Sequence, residues 1–155
     1  MRPTRDELLM RHALLVAERS TCSRLQVGCV ISRDGRILVT GYNGAPAGME
    51  HCNHDCDCRL TFGQMLDHAE FCASQKPCTM SVHAECNAIA FAARHGISVL
   101  GAEMTTTDSP CWSCSQLIIN AGLNRVGYGR EYRDTGGLSL LFRAGLQVDS
   151  LSLPA

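Results

Sequence analysis

Two short stretches carry residue types that bind metal and move protons: His83-Ala84-Glu85 and Pro110-Cys111-Trp112-Ser113-Cys114. Zinc takes nitrogen and sulfur donors in a tetrahedron, and a catalytic zinc keeps three protein ligands with its fourth position open to water. Cys111 and Cys114 stand three apart at the expected start of a helix, a spacing that puts both sulfurs on one side of its first turn. The unpaired N–H groups at a helix start favour the thiolate. His83 opens a second helix and supplies the third donor. Glu85, two residues on, is then free to take a proton from water at the metal and deliver it elsewhere. The competing account is a closed structural zinc clip, or plain core cysteines.

Those residues need elements that bring them together. The two stretches are separated by 24 residues, 86–109, room for one helix, a loop and a strand that return the second helix alongside the first. The apolar pattern alternates along the chain. Residues 5–20 read as an amphipathic helix, 27–31 and 37–40 as the strands of a hairpin about a turn at 33–36, and 41–48 (GYNGAPAG) as a loop. Helices are expected at 81–95, 111–121 and 138–144, with Gly96 and Gly122 ending the first two. Strands are expected at 102–107, 125–129 and 146–151. Such alternation implies an α/β fold with a central five-stranded sheet covered by helices, in a single domain over residues 1–155.

Composition narrows the function classes. The chain has 155 residues, 45% hydrophobic and 19% charged, as expected of a globular protein. A net charge of -1 gives no electrostatic footprint for long nucleic acid. The N-terminal run MRPTRDELLMRHALL has no apolar core followed by a small-residue cleavage site. No stretch approaches the ~20 apolar residues of a membrane span. A cytoplasmic protein without membrane attachment is the expectation. In that compartment 10 cysteines beside 6 histidines point to metal rather than disulfides.

The paired pattern H-x-E and P-C-x-x-C is the mark of zinc-dependent nucleobase deaminases. Further stretches carry the resemblance from about residue 8 to about 150: Thr21-Cys22-Ser23-Arg24, Val27-Gly28-Cys29-Val30-Ile31, Thr40 through Gly48, and His83 through Ile89. Together they resemble the deoxycytidylate (dCMP) deaminases of the cytidine deaminase superfamily. The resemblance implies a three-layer α/β/α sandwich with a five-stranded mixed sheet, and hydrolysis of dCMP to dUMP and ammonia, feeding thymidylate synthesis. It implies a catalytic zinc on His83, Cys111 and Cys114, with Glu85 as proton shuttle to N3 and then to the departing amine. The Ala84 N–H would meet the base carbonyl, and Asn43 the sugar or base. Tyr132, in the substrate-covering stretch Glu131-Tyr132-Arg133-Asp134, would form a wall or phosphate contact. Arg24 is a candidate phosphate ligand, since guanidinium pairs well with phosphate oxygens, and Ser109 completes the substrate-binding set. The resemblance also implies a homo-oligomer, hexameric in many members.

Alternatives remain at this level. Another cytosine nucleotide is one, such as dCTP or 5-methyl- or 5-hydroxymethyl-dCMP. A tRNA editor should be basic, a free-cytidine enzyme lacks the GYNGAPAG loop, and a riboflavin-pathway enzyme usually continues into a reductase. A zinc-stabilised binding module has no use for Glu85.

Residues 49–80 read as a Cys/His-rich insertion with little apolar material. Such a segment cannot offset its ordering entropy alone, and a structural zinc can supply the difference. Cys22 and Cys52 resemble two ligands of a structural zinc in some dCMP deaminases, and Cys78 is a candidate third. Cys56, Cys58, His68 and Cys72 complete that site or form another, His68 and Cys72 being i, i+4 on one helix face. The expectation is one catalytic zinc and at least one structural zinc. Cys29 and Cys86 read as small buried hydrophobes.

Overall fold

The computed structural model describes residues 2–22, 24–49, 51 and 81–153. Helix α1 (Arg5–Ala17) is started by Thr4, whose hydroxyl accepts from the Glu7 N–H while the Glu7 carboxylate accepts from the Thr4 N–H, a reciprocal cap. Strands β1 (Gly28–Arg33) and β2 (Arg36–Tyr42) form the expected hairpin. Its turn, Asp34-Gly35, has φ of 54° and 74°, the left-handed pair that matches strand twist. There follow α2 (Ala84–Arg94), β3 (Glu103–Asp108), α3 (Trp112–Asn120), β4 (Arg125–Arg130), α4 (Gly136–Arg143) and β5 (Gln147–Ser150).

The five strands form one sheet in the order β2-β1-β3-β4-β5. β1 runs antiparallel to β2 and β3, while β3, β4 and β5 are parallel. Successive strand residues face opposite sides. Val30 accordingly packs with Leu9 and Ala13 of α1 on one face. Cys29 and Ile31 join Ala84, Ala88, Ile118 and Leu141, from α2, α3 and α4, on the other. The layered α/β/α architecture with a five-stranded mixed sheet is thus what the chain builds.

Two boundaries move by three residues: the helix expected over 5–20 ends at Ala17, and the start of α2 shifts with a physical cause. The expected helix over 81–95 begins only at Ala84, because Val82 is extended and exchanges two backbone hydrogen bonds with Gly44 (2.8 and 3.1 Å). That bridge anchors the chain just before His83 to the loop after β2. Gly41 does similar work one turn on: a Cβ there would overlap the Ala84 carbonyl oxygen and crowd the Ala88 backbone. The first turn of α2 therefore lies directly on β2. Among the described residues no helix is long and apolar enough to cross a membrane.

Candidate active site

The site forms where the start of α2 meets the start of α3. His83 and Cys111 are the N-cap residues of α2 and α3, and Cys114 lies one turn into α3. The β3 strand ends at Asp108, and Ser109-Pro110 turns the chain into α3. The ring nitrogen Nδ1 of His83 is 3.5 Å from Cys111 Sγ and 3.3 Å from Cys114 Sγ. All three donor atoms lie within 4.8 Å of one another, and they form the one such group of three among the described residues. Tetrahedral zinc with Zn–N of ~2.05 Å and Zn–S of ~2.3 Å places nitrogen and sulfur ~3.6 Å apart. The observed spacing fits that geometry within a few tenths of an ångström, and the donor set is zinc's own.

The three donors are close enough to compete for protons. The Cys114 thiol hydrogen-bonds Cys111, and His83 adds to this, holding the Cys111 thiol down to about 4. Cys111 pushes Cys114 up in turn, so that the proton of the pair sits on Cys114. The same Cys111 contact raises His83 to about 9. An anionic sulfur is thereby present at neutral pH.

Glu85 sits in the first turn of α2, 4% exposed, with Oε2 3.6 Å from Cys114 Sγ. Burial pushes its carboxyl above the usual carboxylate range. A buried carboxyl that can hold or release a proton beside a metal-binding trio is equipped for general acid–base work.

These groups open onto a cleft of about 560 Å³, within the ~300–1,000 Å³ of small-molecule sites. Its lining includes His83, Ala84, Glu85, Cys111, Asn43, Ser109, Tyr132 and Arg24, so every residue expected at the catalytic and substrate positions borders it, except the buried ligand Cys114 just behind. Asn43 is largely committed to the protein. Its Oδ1 accepts from the Val27 N–H (2.8 Å) and lies 2.7 Å from Ser20 Oγ, and its Nδ2 donates to Leu25 carbonyl oxygen (2.8 Å). One Nδ2 hydrogen is left for a ligand. Ser109 Oγ accepts from the Tyr132 N–H at 2.8 Å, which ties the segment after β4 to the residues just before α3. Ala84 is fully buried and, as the first residue of α2, has an N–H without an intrahelical acceptor.

Sequence reasoning passed over several lining residues. Arg133 follows Tyr132 on the cleft wall, and its guanidinium stands 5.4 Å from the centre of the Tyr132 ring. Asp108, buried at the end of β3, accepts from Arg130 and from the Thr107 hydroxyl, both at 2.8 Å. An acidic residue just before Ser109-Pro110-Cys111 was the available signal. Cys22 also lines the cleft. The other structural-zinc candidates, Cys52, Cys56, Cys58, His68, Cys72 and Cys78, lie outside the described residues. Cys29 is fully buried as expected, but Cys86 is only half-buried, and its Sγ is 3.6 Å from Cys114 Sγ. It borders the metal site rather than the core, because α2 and α3 meet along that edge.

A His/Cys/Cys trio with a buried acid beside it, bordering a cleft, has the donor set of a catalytic metal site. Residues 3–130 match the family model for the cytidine and deoxycytidylate deaminase zinc-binding region, and the chain belongs to that family. It is 39% identical over 130 residues to the deoxycytidylate deaminase of Mycobacterium phage D29, covering 84% of this chain and 98% of that protein. It is 37% identical over 149 residues to ComE operon protein 2 of Bacillus subtilis, covering 96% and 71%. Among solved structures it resembles the dCMP deaminase of cyanophage S-TIM5 in complex with dCMP and dUMP, with a TM-score of 0.78 and 35% identity over 97% of this chain and 99% of that one.

Proposed function

We propose that this chain hydrolyses dCMP to dUMP and ammonia, as a single deaminase domain with a Cys/His-rich insertion at about 49–80. The observation that carries the reading is the convergence of His83, Cys111 and Cys114 beside the buried Glu85. Likeness to deoxycytidylate deaminases along nearly the whole chain supports it.

His83 Nδ1, Cys111 Sγ and Cys114 Sγ hold the zinc. When bound, it supplies Lewis-acid activation of water at neutral pH. Glu85 takes the proton of the attacking water and passes it first to N3 of the cytosine and then to the leaving amine. Its burial suits both tasks, since it pushes the carboxyl above the usual carboxylate range and so strengthens its hold on a proton taken from water. The Ala84 N–H, at the positive end of α2, donates to the base carbonyl. The remaining Asn43 hydrogen meets the sugar or base. Tyr132 walls the cleft, and its tie to Ser109 fixes how closely the covering segment approaches. Arg24 and Arg133 line the same cleft and supply guanidinium partners for a 5′-phosphate.

The same reading has the protein act in the cytoplasm as a homo-oligomer, with a hexamer as the candidate assembly and dUMP serving thymidylate synthesis. Cys22, Cys52 and Cys78, with Cys56, Cys58, His68 and Cys72, hold at least one structural zinc beyond the catalytic one. Metal analysis after exhaustive dialysis tests this: more than one zinc per chain is expected, and a single zinc with full thermal stability overturns it.

The function is tested by following ammonia release from dCMP, dCDP, dCTP, deoxycytidine and cytidine, and from 5-methyl- and 5-hydroxymethyl-dCMP. The highest kcat/KM is expected with dCMP. Preference for an unphosphorylated nucleoside or the triphosphate, or no turnover of any by the zinc-loaded protein, overturns the reading.

A further inference from the structure

The half-buried Cys86 performs no step in the chemistry above, yet its sulfur lies 3.6 Å from the sulfur of Cys114, near van der Waals contact. The two are carried by neighbouring helices, α2 and α3, and are 28 residues apart in sequence. Their environments differ in a useful way. Cys114 is buried, at 1% exposure, and is a zinc donor in the reading above. Cys86 is partly open to solvent and is not needed to complete the trio of donors. With Cys111 and Cys114 engaged as donors, Cys86 is the sulfur in contact with a donor that a small oxidant can meet without first breaking a metal bond.

We propose that Cys86 is a redox modification site, and that its oxidation by a hydroperoxide forms a Cys86–Cys114 disulfide which releases the zinc. The proposal rests on the metal-site reading. In the first step the Cys86 sulfur attacks the outer oxygen of the peroxide. The O–O bond breaks, an alcohol or water departs with the thiol proton, and Cys86 becomes a sulfenic acid. In the second step the Cys114 sulfur gives up its bond to the metal and attacks the Cys86 sulfur. The S–O bond breaks, and hydroxide leaves and takes a proton from solvent. Each sulfur has lost one electron and the peroxide has gained two. The sulfurs must close from 3.6 Å to ~2.05 Å, a movement of ~1.5 Å that side-chain rotation can supply. The disulfide removes one of three protein donors, and His83 with Cys111 alone is a poor zinc site. A thiol reductant and zinc restore the original state.

The experiment uses the full-length zinc-loaded protein, whose metal content is measured first. Hydrogen peroxide is added, released zinc is followed with a chromophoric chelator, and aliquots are alkylated and peptide-mapped. Zinc is expected to appear in step with a Cys86–Cys114 linkage, both reversing with dithiothreitol. Cys86→Ser, nearly isosteric, should release that zinc at least ten-fold more slowly. A Cys111–Cys114 linkage in place of Cys86–Cys114, or equal release from wild type and Cys86→Ser, overturns the proposal. Mapping the linkage in the wild type keeps the test decisive should the variant fold poorly. Metal content before oxidation tests the site reading separately, since the sulfur mapping does not depend on it.

Discussion

Replacing Arg125 with methionine removes a guanidinium that joins four elements of the fold. Arg125 opens β4, the strand that ends beside the cleft, and its side chain is 16% exposed. It grips Asp6 of α1 through both carboxylate oxygens (2.8 and 2.9 Å), Glu103 of β3 at 2.9 Å and Asp149 of β5 at 2.7 Å. Shielded hydrogen bonds to charged partners contribute ~1.5–3 kcal/mol, and exposed pairs ~0.2–1 kcal/mol. Glu103, with 17% of its side chain exposed, belongs at the low end of the first range. Asp6 and Asp149, at 37% and 33%, belong in the second. The expected loss is about 2–3 kcal/mol, or roughly 4–12 °C in melting temperature for a chain of this size. The pH dependence has a definite sign. The hydrogen bond to Arg125 holds Asp6 below its ordinary value of 3.8. A depressed folded pKa gives stability that is present above that value and lost as pH falls through the folded pKa. Urea denaturation of both proteins should therefore show a gap that is full near pH 7 and narrows below about pH 4. Metal loss in acid lowers both alike and cancels in the difference. A gap under about 0.5 kcal/mol at pH 7, the size of an ordinary surface change, or one that persists undiminished in acid, refutes the reasoning.

Other perturbations read different parts of the molecule. Glu85→Gln keeps the shape of the buried side chain but cannot relay a proton. It should lower kcat by ~10²–10⁴ while zinc content stays at the wild-type level, and near-normal turnover sinks the proton-shuttle role. Gly41→Ala drives a Cβ into the backbone of α2's first turn. It should destabilise by ~1–3 kcal/mol and weaken zinc binding, because His83 and Glu85 move with that turn; unchanged zinc affinity by chelator competition argues against the coupling. The buried Thr105 hydroxyl has no hydrogen-bond partner among the described residues. Thr105→Val should raise stability by ~1 kcal/mol in denaturant titration, and a loss of that size shows that the hydroxyl is satisfied after all.

Much of the fold is legible locally. The capping box at Thr4 and Glu7, the Asp34-Gly35 turn, and Gly96 and Gly122 at φ of +66° and +78° are short-range signals, and the elements they bound appear within a few residues of expectation. The start of α2 is not local. Ser81 and Val82 continue a helical pattern, and only pairing of Val82 with Gly44, 38 residues earlier, holds them extended. Asn43 shows the same limit within the site. Its place beside a glycine-rich loop marks it as a ligand contact, while the partners that take up most of its amide, Ser20, Leu25 and Val27, come from the far side of the β1–β2 hairpin.

The amino-acid sequence by itself pointed to the proposed donor set. The i, i+3 cysteines, the histidine and the acid two residues on follow from residue type and helix geometry, and these do not depend on the rest of the chain. Tertiary structure decided that His83 Nδ1 stands 3.3–3.5 Å from both sulfurs, that Cys86 rests against Cys114, and that Arg125 collects carboxylates from as far as 119 residues away. These contacts require β1 to lie between β2 and β3, with β4 and β5 parallel beyond. Strand order is chosen by burial of the whole apolar surface, so it cannot be read from any local period.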